Sequence, residues 1–217
     1  MARDPPARAQ GGLVAWWTPG EEHRVGRGDG RLLLFRHGPV TEAWRGRLYG
    51  HADAEPEPLD HVKPWAGPVD HVVSSDLSRA RLTAEALFPA VAAVADPRLR
   101  ETSYGELEGQ DLLALHEAQP TLWDRWLREP DTFRFPGGET WSEVRARALA
   151  AVEEARLVAP DGVVAVVSHG GVIRCIVAAV LGASAHGTGR LRVSPLHHVE
   201  LRFWSGVPVV ERTNVSA

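Results

Sequence analysis

Two short apolar runs in this chain each end on a histidine followed by glycine, and that repeated signal constrains the fold more than any other feature. The first is Leu32-Leu33-Leu34-Phe35, which leads into Arg36-His37-Gly38. The second is Val163-Val164-Ala165-Val166-Val167, which leads into Ser168-His169-Gly170-Gly171. Apolar runs of this length bounded by glycine read as strands buried on both faces, the kind found in parallel sheets covered by helices. Open α/β sheets bind their ligands at the carboxyl ends of such strands, and both histidines stand there. Two imidazoles delivered to one end of a sheet can share one anion.

The rest of the pattern agrees. Asp70 to Ser74, Val91 to Ala95, His198 to Trp204 and Val207 to Arg212 complete the strand candidates, the last two joined through Ser205-Gly206 in a hairpin-like connection. Leu77, Ala80, Ala84 and Leu87 recur at helical spacing after Ser74-Ser75-Asp76, which supplies N-cap residue types. Trp141, Val144, Ala148, Val152 and Ala155 recur likewise, with Thr140 and Glu143 spaced as a capping box. Val172 to Leu181 is apolar nearly all round and stops at Gly182, which reads as a buried helix closed by a glycine C-cap. Strands alternating with helices predict an α/β three-layer sandwich: a mostly parallel central sheet with helices on both faces.

Composition limits the partners. With 217 residues, 44% of them apolar, the chain suffices for one sizeable core. A formal net charge of -4 argues against a general binder of nucleic acid or anionic membrane, so affinity for anions has to come from a local cluster. No apolar run approaches the roughly 20 residues of a membrane span, and Leu13 to Trp17 is too short and poorly flanked for a signal peptide, so a cytoplasmic protein is expected. Cys175 is the lone cysteine, which rules out an intrachain disulfide and a paired-cysteine zinc motif. Proline and glycine interrupt residues 1–30 so often that they read as an N-terminal extension to a single domain at 31–217.

The candidate chemistry lies where the strands end. An imidazole held through one nitrogen leaves the other free to attack an electrophile, the role open to His37. Arg36 can grip a phosphate through paired charge-assisted bonds, and Arg79, in the first turn of the helix after Ser74-Ser75-Asp76, can reach the same anion. That helix start adds its dipole and free amides. Gly170 and Gly171 let the backbone after His169 approach an oxygen closely. A lone Arg-His-Gly string is weak evidence; the conjunction of Arg36, His37, Arg79 and His169 carries the reading of a dianion pocket. His51, His61, His116 and His186 have no comparable setting, and His197-His198 lacks a carboxylate or cysteine partner at ligand spacing, so neither a metal nor a cofactor is expected. Ser168-His169 is not part of a Gly-x-Ser-x-Gly elbow, which sets a serine hydrolase aside.

From Arg31 nearly to the C-terminus the chain resembles the histidine phosphatase superfamily, the phosphoglycerate mutase-like group. The resemblance runs in order through Phe35-Arg36-His37-Gly38, Gly46-Arg47-Leu48-Tyr49-Gly50, Ser74-Ser75-Asp76-Leu77-Ser78-Arg79-Ala80, Leu99-Arg100-Glu101, Tyr104-Gly105-Glu106-Leu107-Glu108-Gly109, Pro136-Gly137-Gly138-Glu139 and Ser168-His169-Gly170-Gly171. Chain length, the Leu-Arg-Glu segment and the Pro-Gly-Gly-Glu turn are most similar to the small cofactor-independent phosphatases of the α-ribazole phosphatase and broad-specificity group. The resemblance implies a phosphomonoesterase acting through phosphohistidine, with His37 as phosphate acceptor and Arg36, Arg79, His169 and Gly170 around the phosphate. It puts Glu101 in the position of the proton donor; Glu106 and Glu108 are nearby competitors. Two alternatives accompany it: phosphoryl return to substrate, as in a mutase, and a non-catalytic phospho-ligand or protein-binding module on the same fold. The implied partner is a small phosphorylated substrate, and the assembly a monomer or homodimer.

The sequence departs from the family in two places. An asparagine often stands six residues after the first histidine; here that residue is Ala43, which leaves Thr41 or a backbone amide to replace its contact. Between Leu59 and Val69, Pro64 and Pro68 leave room for barely one helical turn where the family has a longer helix. The domain edge is expected to be thinner there and covered by the N-terminal extension, through Trp16, Trp17 and Trp65, or by a partner subunit. A lid-like excursion at about 107–140 carries Trp123, Trp126, Phe133 and Phe135, which either pack the lid onto the body or stack on an aromatic leaving group. Arg125, Arg128 and Arg134 keep sugar phosphates open.

Overall fold

In the computed structural model, which describes residues 28–217, six strands form one sheet in the order β3-β2-β4-β1-β5-β6. They are β1 (Arg31–Arg36), β2 (His71–Ser74), β3 (Val94–Ala95), β4 (Val163–Ser168), β5 (His197–Trp204) and β6 (Val207–Ser216). The first four run parallel, and β5 and β6 are antiparallel additions beside β1. Six helices accompany them: α1 (Ser78–Leu87), α2 (Leu112–Ala118), α3 (Pro120–Arg128), α4 (Trp141–Val158), α5 (Gly170–Val180) and α6 (Ala185–Thr188).

Alternation along β1 builds the layers. Leu33 and Phe35 pack with Ala80, Ala84 and Leu87 of α1, while Leu32 and Leu34 pack with α4 and α5 through Val152, Ile173 and Ile176. Every one of these side chains is buried, and burial of each is worth about 1.5–3 kcal/mol for the larger aliphatics. A sheet buried on both faces is why β1 and β4 read as unbroken apolar runs.

Element ends follow the predicted chemistry in some places and not in others. Thr140 and Glu143 form the capping box of α4, each side chain accepting from the other's backbone amide. Gly182, at a φ of 62°, closes α5 in the left-handed region. Ser205 and Gly206 form the two-residue hairpin turn with φ of 48° and 81°. The Ser74-Ser75-Asp76 cap does not form. Leu77 occupies the N-cap position of α1 without a side-chain bond, and the Ser78 amide donates instead to Asp53 Oδ1 at 2.8 Å, so a distant loop caps the helix and that amide is not free. Asp76 turns away to pair with Arg100. β3 shrinks to Val94–Ala95, and β6 extends to Ser216.

No helix forms between Leu59 and Val69. Trp65 covers that edge instead, its ring set edge-on against Phe35 at 5.4 Å and His198 at 5.2 Å. His198 is buried in this aromatic packing. Trp16 and Trp17 lie outside the described residues. Among the described residues no helix is long and apolar enough to cross a membrane.

Candidate active site

β1 and β4 are parallel neighbours with Arg36 opposite Ser168, so His37 and His169 leave the sheet at the same level. Their rings face each other with centroids 5.0 Å apart and planes 59° apart. The turn after His37 is tied to α1, since the Gly38 amide donates to Thr83 Oγ1 at 2.8 Å and that hydroxyl donates to the Arg79 carbonyl at 2.7 Å. Gly38 in turn fixes the nucleophile candidate. Its carbonyl stands 2.6 Å from His37 Nδ1 and can only accept, so Nδ1 carries the ring proton and Nε2 keeps its lone pair.

Burial, reinforced by the Arg79 and Arg36 charges, pushes the His37 pKa down to about 3. Burial first, then Arg79, holds His169 far below its ordinary range too. Both imidazoles are therefore neutral at physiological pH. In the unfolded chain they titrate near 6.5, the ordinary histidine value, and below it bind more protons than the folded state does. Stability is then fully present above that value and falls as pH drops through it, by up to about 1.4 kcal/mol per pH unit for each histidine. For His37 the loss continues until about pH 3. Urea midpoints measured from neutral to mildly acidic pH are expected to show this slope, and His37→Asn is expected to flatten it by about one proton's share.

His37 and His169 line a cavity of about 260 Å³ together with Arg36, Glu101, Gly170 and Gly171. Glu101 is held at its rim by backbone amides: Oε2 accepts from Gly171 at 2.9 Å and Oε1 from Thr102 at 3.0 Å. Its main chain is clamped by Arg147, which donates to the carbonyls of Arg98, Arg100 and Glu101 at 2.6–2.8 Å and pairs with Glu139 at 2.8 Å. The Pro-Gly-Gly-Glu turn thus serves the site by holding the arginine that holds the Glu101 segment. Glu108 is committed elsewhere, accepting the amides of His51, Ala52 and Tyr104. Glu106 is exposed and lies off the cavity wall.

The arginines divide. Arg36 lines the cavity with Nη1 bound to the Val193 carbonyl at 2.7 Å. Arg79 is fully buried and not on the wall; its terminal nitrogens donate to the carbonyls of Tyr49, Gly50 and Ala52 at 2.8–3.0 Å. Its guanidinium therefore braces the loop at 49–52 while bringing its charge to both histidines. Ala43 is exposed and offers only its carbonyl, to Arg47 Nε at 2.8 Å, and Thr41 is not on the wall.

Arg47 and Arg174 line the cavity and were not singled out by the sequence reading. Arg174 had a signal: it is the only charge in the otherwise apolar α5. Trp123 and Trp126 pack the excursion and also reach the cavity. They pack at 5.1 Å in a satellite cluster with Leu48, Leu107, Phe133 and Phe135, and they also form part of the cavity wall with Tyr49 and Tyr104. The excursion that carries them is tied down where the Gly109 amide donates to the Leu48 carbonyl, the Leu48 amide to the Gln110 carbonyl and the Leu112 amide to the Gly46 carbonyl. No group of three or more His, Cys, Asp or Glu side chains is placed to hold a metal ion among the described residues.

The family model for the histidine phosphatase superfamily, branch 1, matches residues 32–216. The chain belongs to the histidine phosphatase superfamily. A curated relative in this superfamily, the probable phosphoglycerate mutase GpmB of Photorhabdus laumondii, is 33% identical over 172 residues, covering 75% of this chain and 80% of the relative. Among solved structures, mycobacterial glucosyl-3-phosphoglycerate phosphatase superposes with a TM-score of 0.74 at 27% identity, covering 86% of this chain and 99% of that one. The α-ribazole phosphatase of Shigella flexneri superposes with a TM-score of 0.71 at 23% identity, covering 86% and 98%, a likeness of fold. This member of the superfamily thus has both phosphatase-named and mutase-named proteins among those it is similar to.

Proposed function

We propose that this protein is a phosphomonoesterase that passes the phosphoryl group of a small metabolite to His37 and then to water. One observation carries the reading: around the neutral His37, Arg36 Nε, Arg79 Nε and His169 Nδ1 are buried without a hydrogen-bond partner among the described residues. Such groups are costly to leave unpaired, and the oxygens of a phosphoryl dianion would pair them. The His37 Nε2 lone pair forms the N–P bond as the ester P–O bond breaks, and the departing oxygen takes the Glu101 proton. Glu101, now ionised, takes a proton from water, whose oxygen attacks phosphorus; the N–P bond breaks and inorganic phosphate leaves. Arg36, Arg79, His169 and Gly170 surround the phosphate in this scheme, and its charge spreads onto fixed donors.

The leaving group occupies the space between Tyr49, Tyr104, Trp123 and Trp126, with Arg47 and Arg174 available to a further negative charge. That wall supports α-ribazole 5'-phosphate, glucosyl-3-phosphoglycerate or a broad range of esters as substrates. The names of the curated relatives favour a second reading, phosphoryl return within phosphoglycerate. Trapping with labelled ester separates them: release of inorganic phosphate from an acid-labile phosphoenzyme supports the phosphatase, and phosphoryl return to 3-phosphoglycerate supports the mutase. Neither phosphoenzyme nor turnover across a panel of esters, with and without chelator, would sink both and revive a non-catalytic binding module.

A further inference from the structure

We propose that Ser75 is a positioning residue that fixes His169 as its Nδ1–H tautomer and so makes that ring a hydrogen-bond donor to the phosphoryl group. The inference rests on the phosphatase reading for its chemistry but not for its geometry. Ser75 lies between β2 and α1, fully buried, with its amide donating to the Val167 carbonyl of β4 at 2.9 Å. That bond places its side chain one strand away from His169, and Oγ stands 2.9 Å from His169 Nε2.

The direction of that bond follows from where the single hydroxyl proton can go. The Leu77 amide lies 3.4 Å from Ser75 Oγ and can only donate, so Oγ accepts there. A buried hydroxyl has one proton to give, and among the described residues His169 Nε2 is the acceptor bonded to it. Nε2 therefore holds the lone pair. Burial and the Arg79 charge keep the ring neutral, so its single proton sits on Nδ1. The hydrogen bond at one ring nitrogen decides what the other carries.

The opposite tautomer fails twice. It would leave the Ser75 proton without an acceptor, and it would turn a lone pair on Nδ1 toward a dianion beside His37. With the proton on Nδ1, the same nitrogen stabilises the charge of the transferring group, and a donor fixed in advance needs no reorganisation as the reaction proceeds. His37 and His169 thus divide their labour through opposite use of similar rings. In His37 the Gly38 carbonyl takes the Nδ1 proton and frees Nε2 to attack; in His169 the Ser75 hydroxyl fills Nε2 and leaves Nδ1–H to bind.

Nitrogen-resolved NMR of the imidazoles, with the His169 signal assigned through His169→Gln, tests this on the full chain without any turnover. The wild-type protein is expected to show His169 protonated on Nδ1 alone, with that proton shifting when inorganic phosphate is added. Ser75→Ala is expected to populate Nε2–H in the free protein and to lower kcat/KM about tenfold, mostly in kcat. A wild-type Nε2–H signal, or the same tautomer in both proteins, would overturn the proposal. Should Ser75→Ala not fold, the wild-type spectrum still decides. Nδ1–H in a protein that forms no phosphoenzyme would sink the phosphatase reading and leave the tautomer assignment standing.

Discussion

His37→Ala is expected to lower ester hydrolysis by about four orders of magnitude or more and to leave no acid-labile phosphoenzyme. The size of the effect follows from how many features converge on one nitrogen. Nε2 is the lone-pair nitrogen because Gly38 holds Nδ1, it is unprotonated because burial and two guanidinium groups oppose the charge, and His37 lines the same cavity as Glu101. Alanine removes all of these together. His169 cannot substitute, because its Nε2 is bound to Ser75. Arg36, Arg79 and His169 remain in place, so the variant is expected to bind inorganic phosphate still, which equilibrium dialysis can measure. Retained turnover with retained phosphate binding would move the nucleophile elsewhere, to an activated water.

Much of this was legible in the sequence because the site is built from local signals. Strand, histidine and glycine are contiguous at 35–38 and 167–170, and the parallel pairing of β1 with β4 needs only right-handed crossovers to set those ends side by side. Alternation gave the layers for the same reason: burial on each face of β1 is written residue by residue. The signals that were not legible are tertiary. Asp53 caps α1 from 25 residues away along the chain, and no periodicity reports it. Asp76 has the residue type of a cap but lies nearer to Arg100, and a bidentate ion pair outcompetes an amide for it. Arg79 also braces the carbonyls at 49–52 through its terminal nitrogens, contacts that only the folded loop creates, which leaves Nε as its unpaired donor. Glu106 and Glu108 compete with Glu101 on residue type, and only the motif at 99–101 separates them in the sequence; in the fold, three backbone amides occupy Glu108 and Glu106 lies off the cavity wall.

Removing the Glu101 proton from reach of the leaving group is expected to cost about 10²–10³ in kcat for alkyl phosphates and much less for p-nitrophenyl phosphate. An alkoxide is too basic to leave without a proton, whereas nitrophenolate departs as the anion, so the ratio of the two rates isolates the acid from every other role of the residue. Glu101→Gln keeps the shape and one of the two oxygens that accept backbone amides, but has no proton of suitable acidity to give. Gly171→Ala reaches the same end by a different route. A Cβ at Gly171 would lie 2.2 Å from Glu101 Oε1, closer than any real contact, and the atom in its way is the end of a flexible side chain. The carboxylate moves and the backbone does not, because Arg147 holds the Glu101 main chain through its carbonyl. Gly171→Ala is therefore expected to reproduce the leaving-group dependence of Glu101→Gln with little change in urea midpoint. In the double variant the second substitution should add almost nothing, since both act on one proton. Equal slowing of alkyl and nitrophenyl esters by either change would take the acid role away from Glu101.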